Sequence, residues 1–181
     1  KNSTYNLELF YCSNITIYNN ILSGIYLFLC NDVNISNNIL TKKGIKLYSS
    51  NNNLVKSNEF YNSSTYVWTK KVGNNEYIFY SSSFGIYIYN SKNNILNKNN
   101  ISNCTGNTVI DVVSEIFSWI IDLPAYGIYS YGDYSKNNEI IENIISDNRD
   151  FLALDVYSSD YFISNNTIAN CTQIEGITRE I

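Results

Sequence analysis

The sequence has no histidine and no methionine, and only one proline, three alanines and two arginines, Arg149 and Arg179, in 181 residues. Each shortage closes a class of function. Without histidine, Ser-His-Asp and Cys-His catalysis are impossible within this chain. Without His or Met, copper-site chemistry lacks its usual ligands, and no cofactor is expected. Lys plus Arg is 12 and Asp plus Glu is 16, a formal charge of −4, so no nucleic-acid surface is expected. Scarce alanine argues against a helical bundle. The longest apolar stretches, such as Ile116 to Leu123, are short and broken by Ser118 and Asp122, so no membrane insertion is expected in this segment. No signal peptide is visible, and the chain starts at Lys1 without Met; it reads as a processed chain or a piece of a larger one.

What is abundant is Asn (31), Ile (26) and Tyr (17), with 44% of residues hydrophobic. These favour turns and strands, and the apolar content excludes disorder. A repeat organises them. Its unit is an apolar residue, two more, an Asn, one more, then an apolar residue. It begins at Ile17, Ile35, Val55, Leu96, Ile140 and Ile163, and its Asn is Asn20, Asn38, Asn58, Asn99, Asn143 and Asn166. The two long steps, Asn58 to Asn99 and Asn99 to Asn143, are close to twice the short ones. This predicts about eight coils of about twenty-one residues, two of which have lost the Asn.

Upstream of several units lies a second strand: Gly24-Ile25-Tyr26-Leu27-Phe28, Gly44-Ile45-Lys46-Leu47-Tyr48, Gly85-Ile86-Tyr87-Ile88-Tyr89 and Gly127-Ile128-Tyr129-Ser130-Tyr131. It alternates, with Ile and Leu on one face and mainly Tyr or Phe on the other. The glycine is expected to supply a sharp corner. A small residue stands five positions before each unit: Cys12, Cys30, Ser50, Ser91, Ser135 and Ser158. Three columns in one phase predict an all-β chain, a parallel β-helix stacked at about 4.8 Å per coil, with the Asn column inward as a hydrogen-bonded ladder.

The string Gly-Ile-Tyr-Leu, a Ser/Asn turn, then Asn-Ile-Ser-Asn-Asn-Ile-Leu resembles the right-handed parallel β-helix repeats of the NosD-like and carbohydrate-binding/sugar-hydrolase group, common in archaeal and bacterial surface proteins. The resemblance spans roughly Leu7 to Ile177 and implies a right-handed coil in a single domain over 1–181, continuing beyond one or both ends. It implies little about function, because one scaffold hosts many roles. The metal handling suggested by the NosD name is disfavoured by the missing His and Met. Two segments depart from the pattern, 66–84 with Trp68 and 106–126 with Trp119; they read either as degenerate coils or as loops that leave the helix.

Hydrolysis on such a scaffold needs paired carboxylates at a defined separation. The candidates are Asp155 with Asp160, Asp133, Asp147 with Asp150, and Glu139 with Glu142. None falls in a repeating column, and only Arg149, beside Asp150, offers an adjacent cation, so no catalytic residue and no metal ligand is assigned. Calcium binding near Asp155 lacks ligand spacing.

The outward aromatic columns say more. Tyr26, Tyr87 and Tyr129 share one position; Phe28, Tyr48, Tyr89 and Tyr131 share the position two residues on. They read as a sugar platform, as a contact face for another copy or surface protein, or as cross-strand ladders that only stabilise the sheet. Eight sequons occur, at Asn2, Asn14, Asn34, Asn62, Asn100, Asn103, Asn165 and Asn170; Asn62, Asn103 and Asn170 share a phase. Cys12 and Cys30 fall on adjacent coils, about 5 Å apart, as a disulfide or as stacked thiols. Cys104 and Cys171 share a phase but lie about three coils apart, too far to bridge.

Two functions from different classes follow. One is a non-enzymatic extracellular solenoid of the cell surface, such as a sheath, filament or adhesin component, whose partners are its own copies, other surface proteins or glycans. Neither end of the chain shows a cap, so end-to-end stacking into a filament is expected of it. The other is a carbohydrate-binding or polysaccharide-degrading β-helix.

Overall fold

The Asn-containing unit and the Gly-Ile strand become three short strands per turn of one continuous coil. A computed structural model describes residues 5–61, 66–72, 75–81, 84–104, 107–114, 117–123, 125–132, 134–148, 151–156 and 160–171. The first coil is β1 (Asn6–Phe10), β2 (Thr16–Tyr18) and β3 (Ile21–Leu22). The second is β4 (Gly24–Phe28), β5 (Asn34–Ser36) and β6 (Ile39–Leu40); the third is β7 (Ile45–Tyr48), β8 (Leu54–Lys56) and β9 (Glu59–Tyr61). A hairpin, β10 (Tyr66–Val72) and β11 (Asn75–Ser81), precedes the fourth coil, β12 (Phe84–Tyr89), β13 (Ile95–Asn97) and β14 (Asn100–Ser102). A second hairpin, β15 (Asn107–Ser114) and β16 (Phe117–Leu123), precedes the fifth, β17 (Ala125–Tyr131), β18 (Glu139–Ile141) and β19 (Ile144–Ser146). The last described coil is β20 (Phe151–Val156), β21 (Phe162–Ser164) and β22 (Thr167–Ala169). Equivalent strands pair in parallel, giving three sheets of six strands each: a right-handed parallel β-helix.

Six described coils therefore replace the expected eight. The segments read as coils that lost their Asn are hairpins, each pairing antiparallel within itself, Trp68 opposite Phe79 and Trp119 opposite Asp111. Both leave the coil at the corner between the third sheet and the first. An insertion there lengthens the chain without adding a coil, which is why the Asn spacing doubles.

The core follows from period two. In the first sheet Ile25, Leu27, Ile45, Leu47, Ile86, Ile88 and Ile128 point inward and are buried. In the second and third sheets a three-residue strand sends only its middle residue inward: Ile17, Ile35, Val55, Leu96 and Ile140, then Phe60, Ile101 and Ile145. Single coils bury nothing; stacking makes the core.

Corners decide the use of Asn. Among the described residues, nineteen non-glycine residues have positive φ, ten of them Asn and three Asp. Each stands just before an inward residue: Asn19, Asn37, Ser57, Lys98, Glu142 and Asn165 precede the six ladder asparagines. The left-handed region costs an ordinary residue about 1–2 kcal/mol, and Asn and Asp visit it most readily. The Asn richness is thus two separate demands, one at the corner and one just inside it.

The glycines answer a different need. Gly132 alone among the described glycines has positive φ. Gly24, Gly44 and Gly85 do not turn the chain, contrary to expectation; they let coils approach. A Cβ on Gly44 would overlap the Phe84 and Gly85 carbonyl oxygens, and one on Gly85 would lie 2.6 Å from Gly127 O.

Candidate functional site

The ladder that the repeat predicts is continuous. Asn38 donates from both its backbone N and its Nδ2 to Asn58 Oδ1, at 2.9 and 3.0 Å. The same double bond joins Asn20 to Asn38, Asn58 to Asn99, Asn99 to Asn143 and Asn143 to Asn166. Each Nδ2 keeps a second bond to a strand carbonyl, as Asn99 does to Val55 O at 2.9 Å. Every amide atom of an interior member is satisfied, so full burial of Asn38, Asn58, Asn99 and Asn143 leaves no unpaired group. Asn20, in the first coil, is exposed.

A second inward ladder escaped the sequence reading. Val33 N donates to Asn53 Oδ1, and Asn53, Asn94 and Asn138 then repeat the double bond. Tyr161 takes the place in the sixth coil, its hydroxyl accepting from Asn138 Nδ2 at 2.8 Å and meeting Ser130 Oγ. The available signal was an Asn two residues before Val55, Leu96 and Ile140; Ile15 and Val33 at that position in the first two coils masked it.

The small column also stacks. Cys30 N, Ser50 N and Ser91 N donate to Ser50, Ser91 and Ser135 Oγ. Ser158 lies outside the described residues. All four cysteines are free thiols. Cys12 Sγ donates to Phe10 O, and Cys30 Sγ to Leu9 O and Phe28 O, just as Ser50 and Ser91 hydroxyls bond the carbonyl two residues back. These bonds turn Cys12 and Cys30 toward backbone carbonyls rather than toward each other. With six coils, Cys104 and Cys171 lie two coils apart, not three, and Asn148 fills the step between them, donating to Cys171 Sγ at 3.7 Å.

The outer face of the first sheet is the chemically distinctive surface. Parallel register aligns Glu8, Tyr26, Lys46, Tyr87 and Tyr129 in one column, and Phe10, Phe28, Tyr48, Tyr89 and Tyr131 in the next. Rings follow one another down the second column, with centroids 6.2, 5.7, 4.4 and 6.0 Å apart. Across the columns, Tyr87 stacks on Tyr129 at 5.5 Å and on Tyr89 at 6.4 Å. Burial among these rings pushes the Tyr87 hydroxyl up to about 12, with the neighbouring tyrosines adding to it. Burial and then Glu8 raise Tyr26. Lys46 breaks the aromatic column between Tyr26 and Tyr87. Its Nζ sits 5.6 Å from the centre of the Phe84 ring, and burial, then Lys43, hold it below the ordinary lysine range. A cleft of about 350 Å³ opens here, with Glu8 the one acid along its lining.

The other candidates are scattered. Asp133, Arg149 and Asp150 lie outside the described residues, as do the side chains of Asp155, Trp68 and Trp119. Asp160 is exposed at a corner with φ 63. Asp147 accepts from Asn170 Nδ2 at 3.0 Å. Glu139 lies on β18, and Glu142, at a corner, pairs with Lys98 at 3.4 Å. No cluster of three metal-ligating side chains forms among the described residues. Of the sequons, Asn14, Asn103, Asn165 and Asn170 are exposed with positive φ; Asn34 and Asn100 bury an unpaired Oδ1; Asn2 and Asn62 lie outside the described residues. No helix among the described residues is long and apolar enough to cross a membrane.

A family model described as a right-handed beta helix region matches residues 1–118. Among solved structures, the chain is similar to a double mutant of the periplasmic alginate epimerase AlgG, at 16% identity and a TM-score of 0.32, covering 87% of this chain and 38% of that one. The chain thus spans well under half of that protein's length. No curated protein matches the chain by sequence.

Proposed function

The chain belongs to the right-handed β-helix family, and on that premise we propose that it is a non-catalytic interaction solenoid of the cell exterior whose contact surface is the outer face of the first sheet. One observation carries the reading: an unbroken aromatic column from Phe10 to Tyr131, flanked by a second that Lys46 interrupts, runs along the outer face of the first sheet, with the rings Phe10 and Tyr131 exposed. Rings stacked in a row offer flat apolar area with polar hydroxyl rims, the chemistry that stacks on the C–H faces of sugar rings. The cleft on the same face has a single lining acid, Glu8, whereas glycoside hydrolysis needs two. An exterior location agrees with open corner positions for the sequon asparagines Asn14, Asn103, Asn165 and Asn170.

The test is retention on immobilised polysaccharides, with product release followed in the same samples. Retention without release of reducing ends or unsaturated sugars is expected, and a Tyr89→Ser/Tyr131→Ser variant loses it. Release of products overturns the non-catalytic reading; undiminished retention by the variant overturns the face. A second copy of the chain is the other natural occupant of two flat aromatic columns. Concentration-dependent sedimentation that the same variant abolishes assigns the face to self-contact instead.

A further inference from the structure

Two phenol rings of the first sheet stand closer together than the strands that carry them. Tyr48 and Tyr89 are register partners on β7 and β12, and their ring centres lie 4.4 Å apart with the planes 32° from parallel. Neighbouring strands are about 4.8 Å apart. Other tyrosine pairs of this face are wider: Tyr87 with Tyr129 at 5.5 Å, Tyr89 with Tyr131 at 6.0 Å and Tyr87 with Tyr89 at 6.4 Å. The third and fourth coils draw together just before β7, where no Cβ fits between Gly44 and the carbonyls of Phe84 and Gly85.

Register also sets how the two rings face. Both leave parallel strands at the same position of one column, so like atoms stand over like atoms. The Tyr48 hydroxyl interacts with that of Tyr89; burial first, and then this neighbour, raise it above the ordinary tyrosine range. The ring carbons beside those hydroxyls, the Cε atoms, are therefore neighbours too. In a biaryl the ring centres are one carbon–carbon bond and two ring radii apart, nearly the separation this pair already has. Joining the rings needs each to turn about its Cβ–Cγ bond and does not need the strands to move. Such a bond spans a step at which the backbone takes a detour, because the chain from the third coil to the fourth runs out through the hairpin β10–β11.

We propose that Tyr48 and Tyr89 are a modification site, coupled oxidatively from Cε to Cε into a dityrosine that staples the third coil to the fourth. The oxidant is hydrogen peroxide turned over by a one-electron peroxidase. Each phenol gives up one electron and one proton, and the two phenoxyl radicals join. The hydrogen on each joined carbon then shifts to the oxygen of its own ring, which restores both hydroxyls. In total two electrons and two protons leave the protein, and one peroxide becomes two waters. Holding the rings together in the fold raises their effective concentration far above that of a second molecule in dilute solution, so the bond forms within the chain. This site does not depend on what the face contacts, and the two readings fail separately.

Limiting hydrogen peroxide and a plant peroxidase, added to the dilute folded protein, test this. The product is expected to stay monomeric on a denaturing gel and to show dityrosine fluorescence. Tryptic digestion then yields the peptide of Tyr48 joined to that of Tyr89, lighter than their sum by two hydrogens. Tyr48→Phe and Tyr89→Phe keep both rings and so keep the fold, and each lowers the dityrosine yield about tenfold. The coupled chain melts several degrees above Tyr48→Phe treated in the same way, because the bond closes a long loop of the unfolded chain. Exposure alone gives a different pattern. Tyr5, Tyr11 and Tyr134 are the most exposed tyrosines among the described residues, and coupling governed by access joins them between molecules. Dityrosine found mainly at those residues, a yield undiminished in the two Phe variants, or oxidation that leaves no dityrosine overturns the site. A Tyr48–Tyr89 bond that leaves the melting temperature unchanged overturns the staple.

Discussion

The first sheet and the other two are made from the same coil and solve opposite problems. Strands of the second and third sheets are two or three residues long and sit between left-handed corners. Each turns one apolar residue inward, and the corners beside them supply the ladder asparagines, so little about them is free to vary. First-sheet strands reach seven residues and alternate cleanly, Ile and Leu inward, rings and Lys46 outward. Their inner half is as constrained as the corners are. Among the described residues, their outer half carries ring contacts along the same face. Scaffold and surface are thus separated by side of the strand rather than by region of the chain, and a change of residue reports which side it stands on.

The largest effect is expected in the ladder. Asn99→Ala removes the acceptor of Asn58 N and Nδ2 and the donor to Val55 O, all fully buried. Unpaired buried groups plus a cavity lower stability by about 3–5 kcal/mol, read as a shifted urea midpoint. A midpoint within error of the natural one would show that the ladder does not hold the coils. Next comes the close approach of coils. Gly44→Ala forces a Cβ into the Phe84 and Gly85 carbonyls and is expected to cost about 1–3 kcal/mol, seen as a lower melting temperature.

On the outer face the expected loss is smaller and depends on pH. Tyr87 is protonated up to about pH 12 in the fold, against about 10 in the unfolded chain. In that window the unfolded state releases the proton first, so stability falls as pH rises from 10 toward 12 and is unaffected below it. Urea titrations at pH 8 and pH 11.5 show the drop, and Tyr87→Phe reduces it; an equal drop in the variant would place the alkaline sensitivity elsewhere. The smallest change is a gain. Leu29 holds φ 53 at an exposed corner where the third and fourth coils place Ser49 and Asn90. Leu29→Asn relieves part of the left-handed cost and is expected to add about 0.5–1 kcal/mol, measured as a raised midpoint.

Much of this was legible. The Asn20-to-Asn166 column carries its own phase, because an inward polar residue must meet an identical partner one coil away, and only a fixed repeat supplies it. The outward aromatic columns were legible for the same reason, since period two assigns their side. The second ladder of Asn53, Asn94 and Asn138 was not, because Ile15, Val33 and Tyr161 replace it at both ends and blur the column. The coil count was misread because a hairpin of sixteen or seventeen residues mimics the length of a coil, and length alone does not distinguish a strand that pairs sideways from one that pairs with its own partner. The role of the glycines was misread too, since a tight approach and a tight turn leave the same letter.

By itself, then, the sequence determined the parallel coil, its phase, its inward and outward faces and the absence of histidine chemistry, all of which depend on local period and composition. The tertiary structure alone decided that there are six described coils, that Cys12 and Cys30 face backbone carbonyls, and that Lys43, Lys46 and Glu8 share one cleft with Tyr26, Tyr48 and Tyr87. Those residues stand on four different coils. What brings them together is stacking register, which depends on how many residues each intervening corner and hairpin consumes outside the coil.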